Sequence, residues 1–439
     1  MLNHRRMNPS PQQAWIVTAD MGYGHQRAAY PFRDIARERI ITANSDSIVG
    51  AEEKKLWRQF QGFYETVSRL GRIPLIGPWL WKTYDYFQSI SPFYPFRDLS
   101  KPTLGSLRLR HMIRKGFARS VPDYARQDDI PFLSTFFAVA LAADHLGLPD
   151  VSCVVTDSDI NRIWVAEKPK ESRIVYFAPT ARAQKRLMLY GVPEERVFLT
   201  GFPLPEENVA PVRDDLARRI AVLDPKGTFR AKYRQLLAGE FGPIPSLDRP
   251  FTIVFAVGGA GAQAEIARDI LLSLKPALEG GRVRICLVAG TRLEVNCFFL
   301  ETIRETGLAE ELGKSIQVLT SLSKTHYFAQ FNQVIREADV LWTKPSELSF
   351  YCALGLPVVM TPPIGSHEVC NSDWLVKIGA GIPQEDPSAV ADWIFDWRDR
   401  GLLALAAFNG FYHAPRHGTE NIKELLFSKD RPIVKLRLS

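Results

Sequence analysis

His25 is the residue whose type and setting best suit proton transfer. It lies in TADMGYGHQRAA (Thr18–Ala29), just behind Gly22 and Gly24. The apolar run AWIVTA before it reads as a strand, and QRAAYPFRDIARERI after it reads as a helix opening. An imidazole titrates near neutral pH, which suits a general base. Glycines at such a turn let a ligand approach the backbone, and a helix N-terminus offers N–H donors and partial positive charge. The turn reads as a seat for an anionic or hydroxylated ligand; the plainer reading is a tight turn with an incidental histidine. Carboxylates stand at neighbouring strand ends. Asp20 follows the first strand, and TDSDINRIW places Asp157, Asp159, Asn161 and Trp164 after VSCVV. Asp20 and Asp157 would orient or charge-pair the imidazole, or else cap a turn and a helix.

Two further stretches suit phosphate. GGAGAQ (Gly258–Gln263) follows a strand and precedes a helix, the context of a phosphate-cradling turn. It lacks the Lys-Ser/Thr of a P-loop and the full dinucleotide spacing. KPSELSFY opens another helix after a strand, with Ser346 as its expected N-cap. Two helix N-termini on one rim would share the charge of a diphosphate.

The elements that must position these residues alternate. DIPFLST, VSCVVTD, SRIVYFAP and RVFLTGFP read as strands with helical FFAVALAADHLG and TARAQKRLMLYG between them. After the proline-rich GFPLPEENVAPV comes a helical connection (Asp214–Gly239). A second series runs through FTIVFAV, VRICLVAG, SIQVLTSL, ADVLWTK and LPVVMTPP. Such alternation implies parallel sheets covered by helices. The expected fold is α/β, with two Rossmann-like doubly wound domains facing a cleft. Residues 1–205 form the first domain, with an insertion at about 45–119, and 206–439 form the second. The last helices either stay with the second domain or cross back to the first. Ligands in such sheets sit beyond the strands' carboxyl ends, which is where the four stretches fall.

A chain of 439 residues is long enough for two cores. Five scattered cysteines without CxxC spacing argue against a disulfide framework or a cysteine zinc site, and for a reducing cytosolic setting. The apolar run near the N-terminus is only about six residues before Asp20, too short for a signal peptide core; FLSTFFAVALAA falls short of a membrane span, and LSFYCALGLPVVMTPPIGS is broken by Pro357, Pro362 and Pro363. The net charge of +7 is uneven: residues 1–120 carry 19 Lys and Arg against 9 Asp and Glu. That excess points to an acidic partner. The stretch Leu56–Arg97 interleaves Trp57, Trp79 and Trp81 with Arg58, Arg69, Arg72 and Lys82, a mixture that fits core packing or an anionic membrane surface. No nucleic-acid motif accompanies it.

Six motifs, TADMGYGHQRAA, VSCVVTDSDINRIW, YGVPEERVFLTGFP, AVGGAGAQ, ADVLWTKPSE and PIGSHEVCN, resemble in order and spacing those of the monogalactosyldiacylglycerol synthases. They are also similar to the transferase that adds N-acetylglucosamine to the peptidoglycan lipid precursor. The resemblance covers about residues 14–385, and only loosely 45–119. It implies the GT-B architecture and an inverting transfer of a hexose from a UDP-sugar to a lipid or lipid-linked acceptor, with no cofactor or obligatory metal, by a cytoplasmic protein attached peripherally to the membrane. It assigns His25 as general base beside Asp20 and Asp157. It gives Gly22, Gly24 and Trp164 to the acceptor, and Gly258, Gly259, Gly261, Gln263, Ser346, Glu347, His367, Glu368 and Asn371 to the nucleotide-sugar. Two positions depart from the pattern. His367 replaces a glutamine, and Phe350 stands where a ribose-binding glutamate is usual, so that Glu347 either takes over that contact or leaves it missing. A soluble acceptor, or a non-catalytic nucleotide-sugar-binding protein, are the competing readings.

Overall fold

The computed structural model describes residues 12–70, 90–258, 261 and 263–428. Its apolar runs form two six-stranded sheets, parallel throughout. The first contains β1 (Trp15–Thr18), β2 (Ile41–Thr42), β3 (Phe132–Ser134), β4 (Val151–Val154), β5 (Val175–Ala178) and β6 (Val197–Leu199), in the order β2-β1-β3-β4-β5-β6. The second contains β7 (Phe251–Ala256), β8 (Val283–Gly290), β9 (Ile316–Thr320), β10 (Val340–Thr343), β11 (Val358–Met360) and β12 (Gly381–Pro383), in the order β12-β11-β10-β7-β8-β9. Helices cover both faces, so β1, β4 and β5 are buried at every residue. That is why these strands read as unbroken apolar runs rather than alternating ones. The short edge strands β2 and β12 carry no comparable run, and the sequence does not announce them.

Strand order reverses once in each sheet, between β1 and β3 and between β7 and β10. Each reversal splays the loops at the carboxyl ends and opens a crevice there. The loops after β1, β4, β7, β10 and β11 line one cavity, so the two crevices face each other. The chain thus has two Rossmann-like doubly wound domains across a cleft, the GT-B arrangement.

Helix Tyr23–Ala29 joins the halves. It begins inside the glycine turn rather than at Gln26, and it ends early because Pro31 offers no N–H to continue it, leaving a single tight turn over Tyr30–Phe32. Its Ala28, with Tyr30, packs in the second domain's core, while Ala29 and Phe32 pack under the first sheet. The C-terminal helix Gly418–Phe427 packs Ile422, Leu425 and Leu426 against Ile16 and Phe177 of the first sheet.

Trp57 belongs to the core, not to a membrane surface. It is fully buried on helix Ala51–Leu70, 4.4 Å from the ring of Phe117, and its indole N–H donates to Glu53 at 3.2 Å. Trp79, Trp81, Arg72 and Lys82 lie outside the described residues, as does the side chain of Arg69. No helix among the described residues is long and apolar enough to cross a membrane.

Candidate functional site

His25 sits at the reversal point of the first sheet. Gly22, at φ +109°, turns the chain out of β1 and starts the helix that carries it. Its Nδ1 lies 2.6 Å from the carbonyl oxygen of Thr135, at the end of β3. A carbonyl only accepts, so Nδ1 carries the proton and Nε2 keeps its lone pair. The hydroxyl of Thr135 in turn donates to the His25 carbonyl at 2.8 Å. Phe136 packs edge-on at 4.9 Å and Trp164 lies 6.2 Å away, so apolar rings flank the imidazole. Burial lowers its pKa and outweighs Asp157, the Thr135 carbonyl and Glu347, which raise it; the net shift is below the ordinary 6.5. The imidazole is therefore neutral at pH 7 and holds a basic nitrogen.

His25 borders two cavities. One, of about 270 Å³, runs from the His25 turn to the second sheet, and Asp157, Gly258, Lys344, Glu347 and His367 border it too. The other, of about 160 Å³, runs into the first domain; the rings of Phe136, Phe137 and Trp164 line it together with the polar Asp157, Asp159, Asn161 and His367. Asp157 borders both beside His25, in keeping with its electrostatic pull on the imidazole. Asp20 is engaged elsewhere. One oxygen accepts from Gln26 at 2.7 Å and the other pairs with Lys324 at 2.7 Å across the cleft. It ties the domains together rather than orienting the imidazole.

On the second domain, Gly258 lies just after β7, beside Lys344, which follows β10. A Cβ at Gly258 would lie 2.5 Å from Lys344 Cε, so glycine is what lets this ammonium lie against the turn. Lys344 pairs with buried Glu368. Burial raises the Glu368 pKa, but Lys344, His367 and the Ile364 N–H, which donates at 2.7 Å, outweigh it and hold the group below its ordinary value. The cavity thus has a charged ammonium beside the turn expected to take phosphate. Gly261 has φ +70°. Gln263 donates to the Pro362 carbonyl at 3.0 Å and accepts from Thr361, which fastens this loop to the one after β11. Gly259 lies outside the described residues.

Several expected nucleotide contacts are placed differently. The helix after GGAGAQ begins only at Ile266. Ser346 precedes a 3-10 helix, Glu347–Leu354, but its side chain caps nothing. Glu347 pairs with Arg27 at 3.3 Å and lies against Gly24, where an added Cβ would meet its Oε2 at 3.3 Å. Arg27 is buried among Tyr327, Phe328, Phe331 and Tyr351 of the second domain, with its guanidinium 4.2 Å from the Phe331 ring centre. Gly24 therefore admits a carboxylate of this chain. Asn371 is buried as an inter-domain strut: it accepts from Ser158 N–H at 2.8 Å and donates to Asp157 and the Pro345 carbonyl at 3.2 Å. Phe350 stacks on Phe202 at 4.7 Å in the core.

The sequence reading overlooked Lys344, Arg27, Thr135 and the Phe136–Phe137 pair. Lys344 had a signal, a cation directly after a strand that ends at the cleft. Phe136 and Phe137 had none, since FFAVALAADHLG reads as an apolar helix alone.

A family model described as "Domain of unknown function (DUF6938)" matches residues 299–392. No curated protein matches the chain. Among solved structures it is similar to the S. aureus MnaA–UDP co-structure, at 13% identity over 94% of this chain and 96% of that one, with a TM-score of 0.47. It is similar to Acinetobacter baumannii MurG at 15% identity over 94% and 99%, with a TM-score of 0.46. It is also similar to the Neisseria meningitidis UDP-GlcNAc 2-epimerase bound to UDP-GlcNAc, at 14% identity over 75% and 84%, with a TM-score of 0.41.

Proposed function

We propose that this chain is an inverting glycosyltransferase that moves a hexose from a UDP-sugar to a lipid or lipid-linked acceptor at a membrane surface. The observation that carries the reading is the place of His25, one neutral imidazole bordering both a cavity that holds Lys344 and a second one walled in part by Phe136, Phe137 and Trp164. A base at that junction stands where an acceptor hydroxyl would meet an anomeric carbon. The hydroxyl proton passes to Nε2, and the hydroxyl oxygen bonds to the anomeric carbon. The bond from that carbon to the diphosphate oxygen breaks, UDP leaves with the electron pair, and the configuration inverts. Lys344 offsets the charge of the departing diphosphate. Glu347, Asp157 and His367 border the space for the sugar.

The rings of Phe136, Phe137 and Trp164 suit an acceptor with an apolar portion. Ile90 lines that cavity, and the chain continues from it to Tyr94 and Phe96, which are 68% and 55% exposed. Arg182 lies 4.7 Å over Phe93, and Lys185 lies 5.4 Å over Phe96. Lys185 beside the exposed Phe96 ring suits an anionic headgroup layer, where such a cation adds about 1 kcal/mol; Arg182 is already paired with Asp159 at 2.7 Å. The test is UDP release across a panel of UDP-sugars, with and without diacylglycerol and lipid-linked acceptors, joined to flotation on anionic liposomes. Release that needs only a water-soluble acceptor, without flotation, replaces the lipid reading. Nucleotide-sugar binding with no UDP release makes the protein a non-catalytic binder.

A further inference from the structure

An arginine-rich groove lies at the opposite end of the second sheet from the cleft. Strands β7, β8 and β10 begin there: Thr252 and Arg284 are register partners in β7 and β8, and Asp339 precedes β10. Arg218, Arg249, Arg284 and Arg336 border a cavity of about 650 Å³ together with Asp215 and Glu337. Asp215 is shared, pairing with Arg218 and, at 3.3 Å, with Arg336. Arg249 grips buried Asp339 through two nitrogens, at 2.8 and 2.5 Å. Arg284 is exposed, and no described carboxylate lies within ion-pair distance of it.

Behind this wall, Arg219 is buried. It donates to the carbonyls of Ala338, Leu354 and Ile335 at 2.7, 2.6 and 2.9 Å. Burial lowers its pKa to about 10, with Arg218 and Arg249 pushing the same way against Asp215 and Asp339. Five guanidiniums thus gather around three carboxylates, and one of the five is held by neutral carbonyls. A planar guanidinium fork matches phosphate oxygens two at a time.

We infer that this groove is a second anion site, separate from the cleft, that takes a phosphate-bearing ligand. The inference does not rest on the glycosyltransferase reading. It is tested by calorimetric titration of inorganic pyrophosphate into the full chain, using Lys344→Ala, which disables the cleft's cation, with and without the Arg284→Ala, Arg336→Ala double change. Lys344→Ala should lose only the binding that belongs to the cleft, and on that background the two arginine changes should lower the remaining affinity about tenfold or more. No binding left in Lys344→Ala, or equal binding with and without the two arginine changes on that background, overturns the site. Both altered arginines are exposed, so folding should persist, and a melting curve checks it. Arg284→Lys, which keeps the charge but loses the fork, should fall between. Vesicles of phosphatidylcholine doped with phosphatidic acid separate the sources. Flotation that the double variant abolishes identifies a lipid headgroup; pyrophosphate binding without such flotation identifies a free phosphate.

Discussion

His25 donates its Nδ1 proton to the Thr135 carbonyl oxygen at 2.6 Å, and that bond decides which nitrogen can act as a base. The two residues stand after β1 and β3, the strands between which the first sheet reverses. One hydrogen bond therefore fixes the tautomer, aims the ring and spans the crevice where a ligand would sit. The lone pair is left on Nε2, in a residue that both cavities share.

Replacing His25 should remove a positioned base and little else. His25→Ala is expected to lower kcat by about 10²–10⁴-fold while UDP affinity holds, because Lys344 and Gly258 are unaltered. UDP-release kinetics with calorimetric UDP binding read both quantities. Near-wild-type turnover would assign the proton to another group.

The same base sets a pH limb. Only neutral imidazole accepts a proton, and the His25 pKa is depressed below 6.5. Activity should stay level above pH 6.5 and fall only at lower pH, as the ring protonates. Asp157 raises this pKa in the native protein. Asp157→Asn should therefore move the acid limb of kcat/KM to still lower pH. A limb that moves upward, or does not move, would separate Asp157 from the imidazole.

Much of this site is legible in the sequence, and the illegible parts share a cause. His25, Asp157, Gly258 and the stretch from Thr343 to Asn371 lie at strand ends, and a parallel sheet delivers strand ends to one place. Pairing across the cleft is another matter. Glu347 is held by Arg27, Asn371 by Ser158 and Asp157, and Asp20 by Lys324, all partners distant in sequence. Local pattern carries no information about which distant group takes up a side chain. For that reason residue types that suit a ligand proved in these cases to join the domains. Trp57 shows the same limit, since an aromatic residue on a basic helix reads alike whether it faces lipid or Phe117.

Lys344 should govern nucleotide affinity. Lys344→Ala removes the ammonium beside Gly258 and leaves the Glu368 carboxylate buried without its cation. Charge-assisted contacts contribute about 1.5–3 kcal/mol, so UDP binding should weaken roughly tenfold to a hundredfold. Glu368→Gln tests the converse. It frees the ammonium from its competitor, and UDP affinity should rise. If both variants bind UDP as the wild type does, the diphosphate lies elsewhere.

Phe350 tests whether the ribose contact was lost or moved. Its ring is buried, stacked on Phe202 at 4.7 Å with 11° between the planes, and lies 5.2 Å from Trp374. Phe202 belongs to the connection leaving the first sheet, so the stack fastens that connection to the second domain. Phe350→Ala should cost about 3–5 kcal/mol of stability, as large-to-small changes in a core do. Phe350→Glu would restore the glutamate usual in the resembling families, yet here it would bury a carboxylate among rings. It should destabilise at least as much as alanine, because an unpaired buried charge adds its desolvation cost. Its UDP affinity per folded molecule should not improve. Denaturant titration with UDP calorimetry on the folded fraction reads both effects. A Phe350→Glu protein that stays stable and binds UDP more tightly would show that the position faces the ribose, and that the ring only fills the space of a missing contact.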